Sequence, residues 1–172
     1  MPVPEHVTQR LRLRPVQLTD LDNLYRLWTQ KDLQKYLWGG EPVSREQVLL
    51  EIKHSLESFQ ARHFGLWIVF LKEKPVFVGF VSLRFNSPQN EIEFLYGIER
   101  KFRGKGLATE AANVIFTYAF QTLQVDKIVA VAEMTNKISV RVLRKLGMKF
   151  KKGVRKGERI VGTFSLSRKD FG

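Results

Sequence analysis

Apolar and polar residues recur along this 172-residue chain with two periods, and the switches between them mark its elements. Arg10 to Arg14 alternates charged and apolar residues as a half-buried strand does, and Pro15 closes it. Leu21, Leu24, Tyr25, Leu27 and Trp28 return at helical spacing, and Thr19 with Asp22 three residues on has the form of a capping box. Tyr36 to Val43, with Gly39, Gly40 and Pro42, reads as a loop. Ser44 with Gln47 repeats the capping signature before a second helix that carries Val48, Leu49, Ile52 and Leu56 on one face. From Phe64 the period becomes two. Phe64 to Leu71 and Val76 to Phe85 form a predicted hairpin, Asn86 to Asn90 a turn, and Glu91 to Ile98 another strand. Gly104 to Gly106 then opens a helix with Ala108, Ala111, Ala112, Ile115, Phe116, Ala119, Phe120 and Leu123 on a broad apolar face. Val125 to Ala132 is a strand, Asn136 caps a helix that stops at Gly147, and Met148 to Val154 with Arg159 to Leu166 make a final hairpin. The pattern predicts one α+β domain over residues 1–172, with one right-handed β-α-β crossover near residues 91 to 132.

Composition narrows the chemistry. The absence of cysteine excludes disulfides, Cys-ligated metal centres and a thiol nucleophile. His6, His54 and His63 have no ligand spacing, so no metal is expected. No apolar run approaches the roughly 20 residues of a membrane helix, and the N-terminus lacks the plan of a signal peptide, so the expected compartment is the cytoplasm. Lys and Arg exceed Asp and Glu by 29 to 17, a net charge of +12. The surplus is regional: residues 1 to 100 hold thirteen basic and twelve acidic side chains, residues 101 to 172 sixteen and five. Such a field favours nucleotide phosphates, ribosomal RNA or an acidic protein surface, and disfavours a free polyamine; a solvated face that aids solubility is the plain alternative.

Lys101-Phe-Arg-Gly104-Lys105-Gly106-Leu107-Ala108-Thr109-Glu110 lies between a strand and a helix. Two glycines permit a tight turn with free amide hydrogens, the helix N-terminus adds partial positive charge, and Lys101, Arg103 and Lys105 carry the same sign, so the segment suits a phosphate. A P-loop would need Ser or Thr after Gly-Lys, where Gly106 stands. A dinucleotide fingerprint would need Gly or Ala at Thr109 and an acid at the end of the next strand, but Asp126 begins that strand and Glu133 comes later. A purely structural strand-to-helix turn remains open.

Lys101 to Gly106 resembles the acyl-CoA pyrophosphate loop of the GCN5-related N-acetyltransferases (GNAT), usually Gln/Arg-x-x-Gly-x-Gly/Ala, with Lys101 replacing the first residue. Arg10-Leu-Arg-Leu-Arg-Pro15, the Glu91 to Tyr96 strand, and Asn136-Lys-Ile-Ser139 leading to Arg144-Lys-Leu-Gly-Met148 are similar to the branch of the Rim-type ribosomal-protein alanine acetyltransferases. The resemblance implies a mixed, mostly antiparallel sheet of about seven strands with about four helices, in which the strands Glu91 to Ile98 and Val125 to Ala132 splay apart to admit the pantetheine of acetyl-CoA. It implies cofactor contacts from Tyr96, Ile98, Lys101, Arg103, Gly104, Lys105, Gly106, Leu107, Ala108, Asn136 and Ser139. Amides near Leu95 to Ile98 would serve the carbonyl oxygen.

The same resemblance makes Glu93 the first candidate for general base and Glu91, at period two on the same face, the second. Many relatives carry a tyrosine acid in the last helix, but Tyr25, Tyr36, Tyr96 and Tyr118 lie elsewhere, so Ser139 is the candidate acid or a cofactor ligand. Trp38, Arg84 and Asn86 fall where an acceptor pocket is expected. The implied reaction is direct attack by an amine in a ternary complex, on a monomer or homodimer. The acceptor is a protein N-terminal α-amine or, alternatively, a small amine; a third possibility is a non-catalytic CoA- or RNA-holding module. Lys149, Lys151, Lys152, Arg155, Lys156 and Arg159, with Glu158 the single acid among residues 149–159, form a candidate surface for an anionic partner such as the ribosome.

Overall fold

A computed structural model of the chain describes residues 4–37, 40–86 and 89–172. Eight strands form one sheet: β1 (His6–Val7), β2 (Leu11–Pro15), β3 (Leu66–Leu71), β4 (Phe77–Asn86), β5 (Glu91–Ile98), β6 (Lys127–Glu133), β7 (Lys149–Lys156) and β8 (Arg159–Ser167), in the order β1-β2-β3-β4-β5-β6-β8-β7. Every neighbouring pair is antiparallel except β5–β6, which is parallel and joined by the crossover through α4 (Leu107–Thr117). The remaining helices are α1 (Leu21–Trp28), α2 (Lys31–Leu37), α3 (Arg45–Arg62) and α5 (Lys137–Lys145). The architecture is the expected α+β layer fold, with β1 and α2 added to it. Among the described residues no helix is long and apolar enough to cross a membrane.

The two additions have physical explanations. β1 spans two residues, too few to show a period, and is defined by pairing His6 with Leu13 and Val7 with Arg12. α2 has no fully buried residue; Leu33 and Leu37 pack against a core cluster, so tertiary contact rather than an apolar face holds this helix. Tyr36 and Leu37 of the predicted loop belong to α2; its Trp38 and Gly39, like Ser87 and Pro88 of the predicted turn, lie outside the described residues. Entry into α1 also differs from the capping box expected at Thr19 and Asp22. A 3-10 turn over Leu18–Asp20 comes first, and buried Asp20 accepts from the Gln17 amide at 2.7 Å and from both terminal nitrogens of Arg14 at 2.8 Å. At α3 the box forms as the sequence reads: Gln47 N donates to Ser44 Oγ at 3.1 Å, and Ser44 N to the Gln47 side chain at 2.8 Å.

Alternation along the strands builds two cores, one on each side of the sheet. Leu13, Trp67, Val69, Val81, Leu83 and Phe94 join Ile115, Phe116 and Phe120 of the crossover helix and its π-type last turn. On the opposite side Ile68 and Phe80 pack with Leu24, Leu27 and Trp28 of α1 and with Val48 and Ile52 of α3. Burial of this much apolar surface is the main term favouring the fold, at roughly 25 cal/mol per Å². Neither helical layer covers β7, whose eight residues are all exposed.

Candidate active site

The parallel pair is short. β5 and β6 are in register only at Ile92 with Ile128 and Glu93 with Val129. Beyond that point β5 stays with β4 as far as Ile98, and β6 stays with β8 as far as Glu133, so the strands part and their facing edges have no strand partner. A cavity of about 780 Å³ occupies the gap. Because successive side chains point to opposite faces, Glu93 and Leu95 project toward α1–α3 while Phe94 and Tyr96 project toward α4 and α5. The cavity wall includes residues of both sets, so the opening runs through the sheet.

The cofactor-loop residues converge at one end of the gap. Gly104 and Gly106 have φ of +75° and +78°, a region that favours glycine, and a Cβ at Gly104 would meet nothing within 4 Å. Gly106 is the N-cap of α4, and Gly104, Gly106, Leu107, Ala108 and Thr109 line the cavity. The first-turn amides have no partner within the helix, so the wall presents donors and the positive end of a helix dipole. Arg10 braces this turn: its Nε donates to Glu110 Oε1 at 2.8 Å and its Nη1 to the Lys105 carbonyl at 2.9 Å. Burial works to raise the Glu110 pKa, but hydrogen bonds from Thr8 and Arg10 and the Arg10 charge outweigh it and hold the carboxyl below its ordinary value.

The three cationic side chains of the loop divide. Arg103 lines the cavity, but its Nε donates to the Ile98 carbonyl at 2.8 Å and its Nη1 to Asp32 of α2; Nη2 is buried with no partner among the described residues. Asp32 is itself held below the ordinary carboxyl range: burial opposes this, and Arg103, the Leu33 amide and Arg100 overcome it. Lys101 and Lys105 lie outside the cavity wall, their ammonium groups 5.3 and 5.8 Å from the Phe102 ring centroid. The free amides, the open glycine cradle and the unpartnered Arg103 nitrogen together fit a pyrophosphate.

On the α2 side Glu93 is buried, and its Oε1 accepts from Arg84 Nη2 at 2.5 Å, the two residues standing opposite each other on β4 and β5. Arg84 and Glu93 both line the cavity. Glu91 does not; it pairs with Lys127 Nζ at 3.3 Å, and Asn86, its register partner, is likewise outside the wall. Trp38 cannot be placed, because it lies outside the described residues. On the α5 side Ser139 N donates to Asn136 Oδ1 at 3.2 Å, the N-cap bond that the sequence suggests. Across the cavity wall from Ser139 lies the buried phenol of Tyr96, whose pKa burial raises against the opposing effects of Ser139 and the Arg103 charge. A tyrosine thus reaches the start of the last helix from a strand, where a search along the helix could not find it. Asp32, Leu33 and Tyr36 of α2 and Glu133 of β6 also line the cavity; the first three sit in a segment without a helical signal, and Glu133 carried none beyond its place near a strand end.

Residues 10–149 match the family model described as an acetyltransferase (GNAT) domain. The chain is 27% identical to an uncharacterised N-acetyltransferase, p20, of Bacillus licheniformis, over 95% of this chain and 96% of that one. It is 28% identical to spermidine N(1)-acetyltransferase of Escherichia coli over 80% and 72% of the two chains. RimL, a ribosomal L7/L12 α-N-protein acetyltransferase whose structure was solved with coenzyme A, superposes with a TM-score of 0.79 at 19% identity, covering 96% of this chain and 97% of that one. With the parted strands, the phosphate-suited helix start and a family match over most of its length, this chain belongs to the GNAT family and is an acetyl-CoA-dependent N-acetyltransferase.

Proposed function

We propose that this enzyme acetylates the α-amine of a protein N-terminus, with the acceptor entering on the α2 side of the sheet and the donor held on the α4–α5 side. The observation that carries the reading is the cavity that crosses the sheet, with Glu93 on one face and Ser139 on the other. Direct attack needs the amine to reach one face of a planar thioester carbonyl while the rest of the donor is held out of its way, and an opening between parted strands supports that approach. Gly104, Gly106, Leu107 and Ala108 would hold the pyrophosphate, with Tyr96, Ile98 and Asn136 along the path. Acetyl-CoA, when bound, supplies a thioester. Glu93 accepts the proton of the acceptor nitrogen, directly or through one water, through the carboxylate oxygen that Arg84 does not occupy. Backbone amides on the free edge of β5 near Leu95 to Ile98 are donors for a carbonyl oxygen. Ser139 holds a proton at Oγ on the far face, next to the Tyr96 phenol.

An α-amine suits this equipment, since its ordinary pKa of about 7.7 to 8.0 leaves an appreciable neutral fraction and one carboxylate suffices. The basic hairpin supports a macromolecular carrier: Lys149, Lys151, Lys152, Arg155 and Lys156 are exposed and none lines the cavity. A small-amine acceptor is the second reading, favoured by the spermidine enzyme among the relatives, although a net charge of +12 repels polyamines at a distance. Membership of the family removes the grounds for a non-catalytic RNA-holding module. Release of free CoA, followed across a panel of N-terminal peptides and small amines, tests the proposal. Turnover confined to small amines would overturn it.

A further inference from the structure

Glu133 is the last residue of β6, and alternation places it with Val129 and Val131 on the face away from Ala130 and Ala132, which belong to the α4–α5 core. It lines the cavity with its side chain only 7% exposed. Its Oε1 forms an ion pair with the half-exposed Arg159 at 3.6 Å from Nε, longer than a hydrogen bond, and its Oε2 has no hydrogen-bond partner among the described residues. The other carboxylates of the wall are hydrogen-bonded to a guanidinium, Asp32 to Arg103 and Glu93 to Arg84. An ionised carboxylate can only accept, and leaving a buried carboxylate oxygen such as Oε2 without a donor is costly, so the missing partner is a donor; a cation strengthens that bond best. The gap admits such a partner, because β5 has already turned away from β6 at this level.

The location says which part of a ligand this is. Glu93 is level with Val129, and Glu133 stands four residues further along β6, about 13 Å at roughly 3.3 Å per residue. A nitrogen reacting beside Glu93 is therefore not the group that Glu133 meets. We propose that Glu133 is a binding carboxylate for a second cationic group on the acceptor, about 13 Å from the reacting amine. The proposal rests on the reading above only in placing that amine beside Glu93. In an extended peptide the distance corresponds to about the fourth residue, so a Lys or Arg there would be read; in a small acceptor the distal ammonium of a diamine would serve. The local carboxylate thus selects at the site against the long-range repulsion of the whole molecule.

The test measures kcat/KM of the wild type and of Glu133→Gln for peptides with Lys or Gln walked through positions two to six, and for diamines against amino alcohols of equal chain length. The wild type should prefer Lys to Gln near position four about tenfold, roughly 1.4 kcal/mol, and Glu133→Gln should bring that ratio close to one. Arg159→Gln, which removes the cation ion-paired with Glu133, should increase the preference and keeps the test valid if Glu133→Gln folds poorly. Indifference of the wild type to the second charge overturns the proposal, as does a tenfold loss of acetyl-CoA affinity in Glu133→Gln, which would make it a donor-side ligand. If diamines but no peptides are acetylated, with the Glu133 dependence intact, the N-terminal reading falls and this site stands. If both proteins acetylate peptides with no regard to the second charge, the site falls and the N-terminal reading stands. No turnover of any acceptor counts against both.

Discussion

Single side chains at this site take their meaning from what else they touch. Glu93 and Ser139 stand on opposite faces of the sheet, so removing either should impair a different proton transfer. Glu93→Gln and Ser139→Ala should each lower kcat by roughly a hundredfold while leaving acetyl-CoA affinity nearly intact, as single-turnover kinetics and calorimetry would record. Full turnover by Glu93→Gln would pass the role to bulk water or another carboxylate. Gly106 is constrained in a different way: its left-handed backbone strains any side chain, and a β-branched one most. Gly106→Val should weaken acetyl-CoA at least tenfold, about 1.4 kcal/mol, in a protein that calorimetry shows to be folded. An unchanged affinity would remove the pyrophosphate role from this loop. Both glycines were legible in the sequence, because a turn of this kind restricts residue type. The partner of Arg103 was not, because Asp32 lies 71 positions away.

At the scale of elements, the loop before α4 depends on the turn between β1 and β2, far away in sequence. Glu110 ties α4 to Thr8 and Arg10, and Arg10 in turn holds the Lys105 carbonyl. The Glu110 pKa is depressed in the folded protein, so its stabilisation is fully present above the unfolded carboxyl value and is lost as pH falls through the folded one. Glu110→Gln should therefore lower Tm at pH 7 by a few degrees, about 1 kcal/mol after discounting for the half-exposed Arg10, and the difference from wild type should shrink and vanish as acid carries the folded carboxyl through its depressed pKa. A difference that persists in acid would mean that packing, not charge, is lost. The strands and the amphipathic helices were readable because period and capping are local properties, as Ser44 with Gln47 illustrates. α2 was not readable, because Leu33 and Leu37 become a face only when the core is there to receive them.

Over the whole molecule the charge is polarised, and the β7–β8 hairpin carries much of it on a strand exposed along its full length. Lys151, Lys152, Arg155 and Lys156 have no acid within salt-bridge distance among the described residues, so their field reaches solvent. Reversing these four to Glu should slow association with an anionic macromolecular carrier and remove its salt dependence, while acetylation of a short neutral peptide stays almost unchanged; stopped-flow association at several ionic strengths would show it. Loss of peptide turnover would instead put the hairpin in the active site. The chain's own pattern determined the alternation of strands and helices, the phosphate-suited turn at Gly104 and Gly106, and the charge imbalance, since each depends on neighbours within a few residues. Tertiary structure alone decided that β5 and β6 stay in register only as far as Glu93, that Asp32 of α2 meets Arg103, and that Glu133 Oε2 is buried in the gap with no hydrogen-bond partner among the described residues. Those facts depend on which strand edges meet, and strand pairing is fixed by the packing of both faces of the sheet rather than by any segment of sequence.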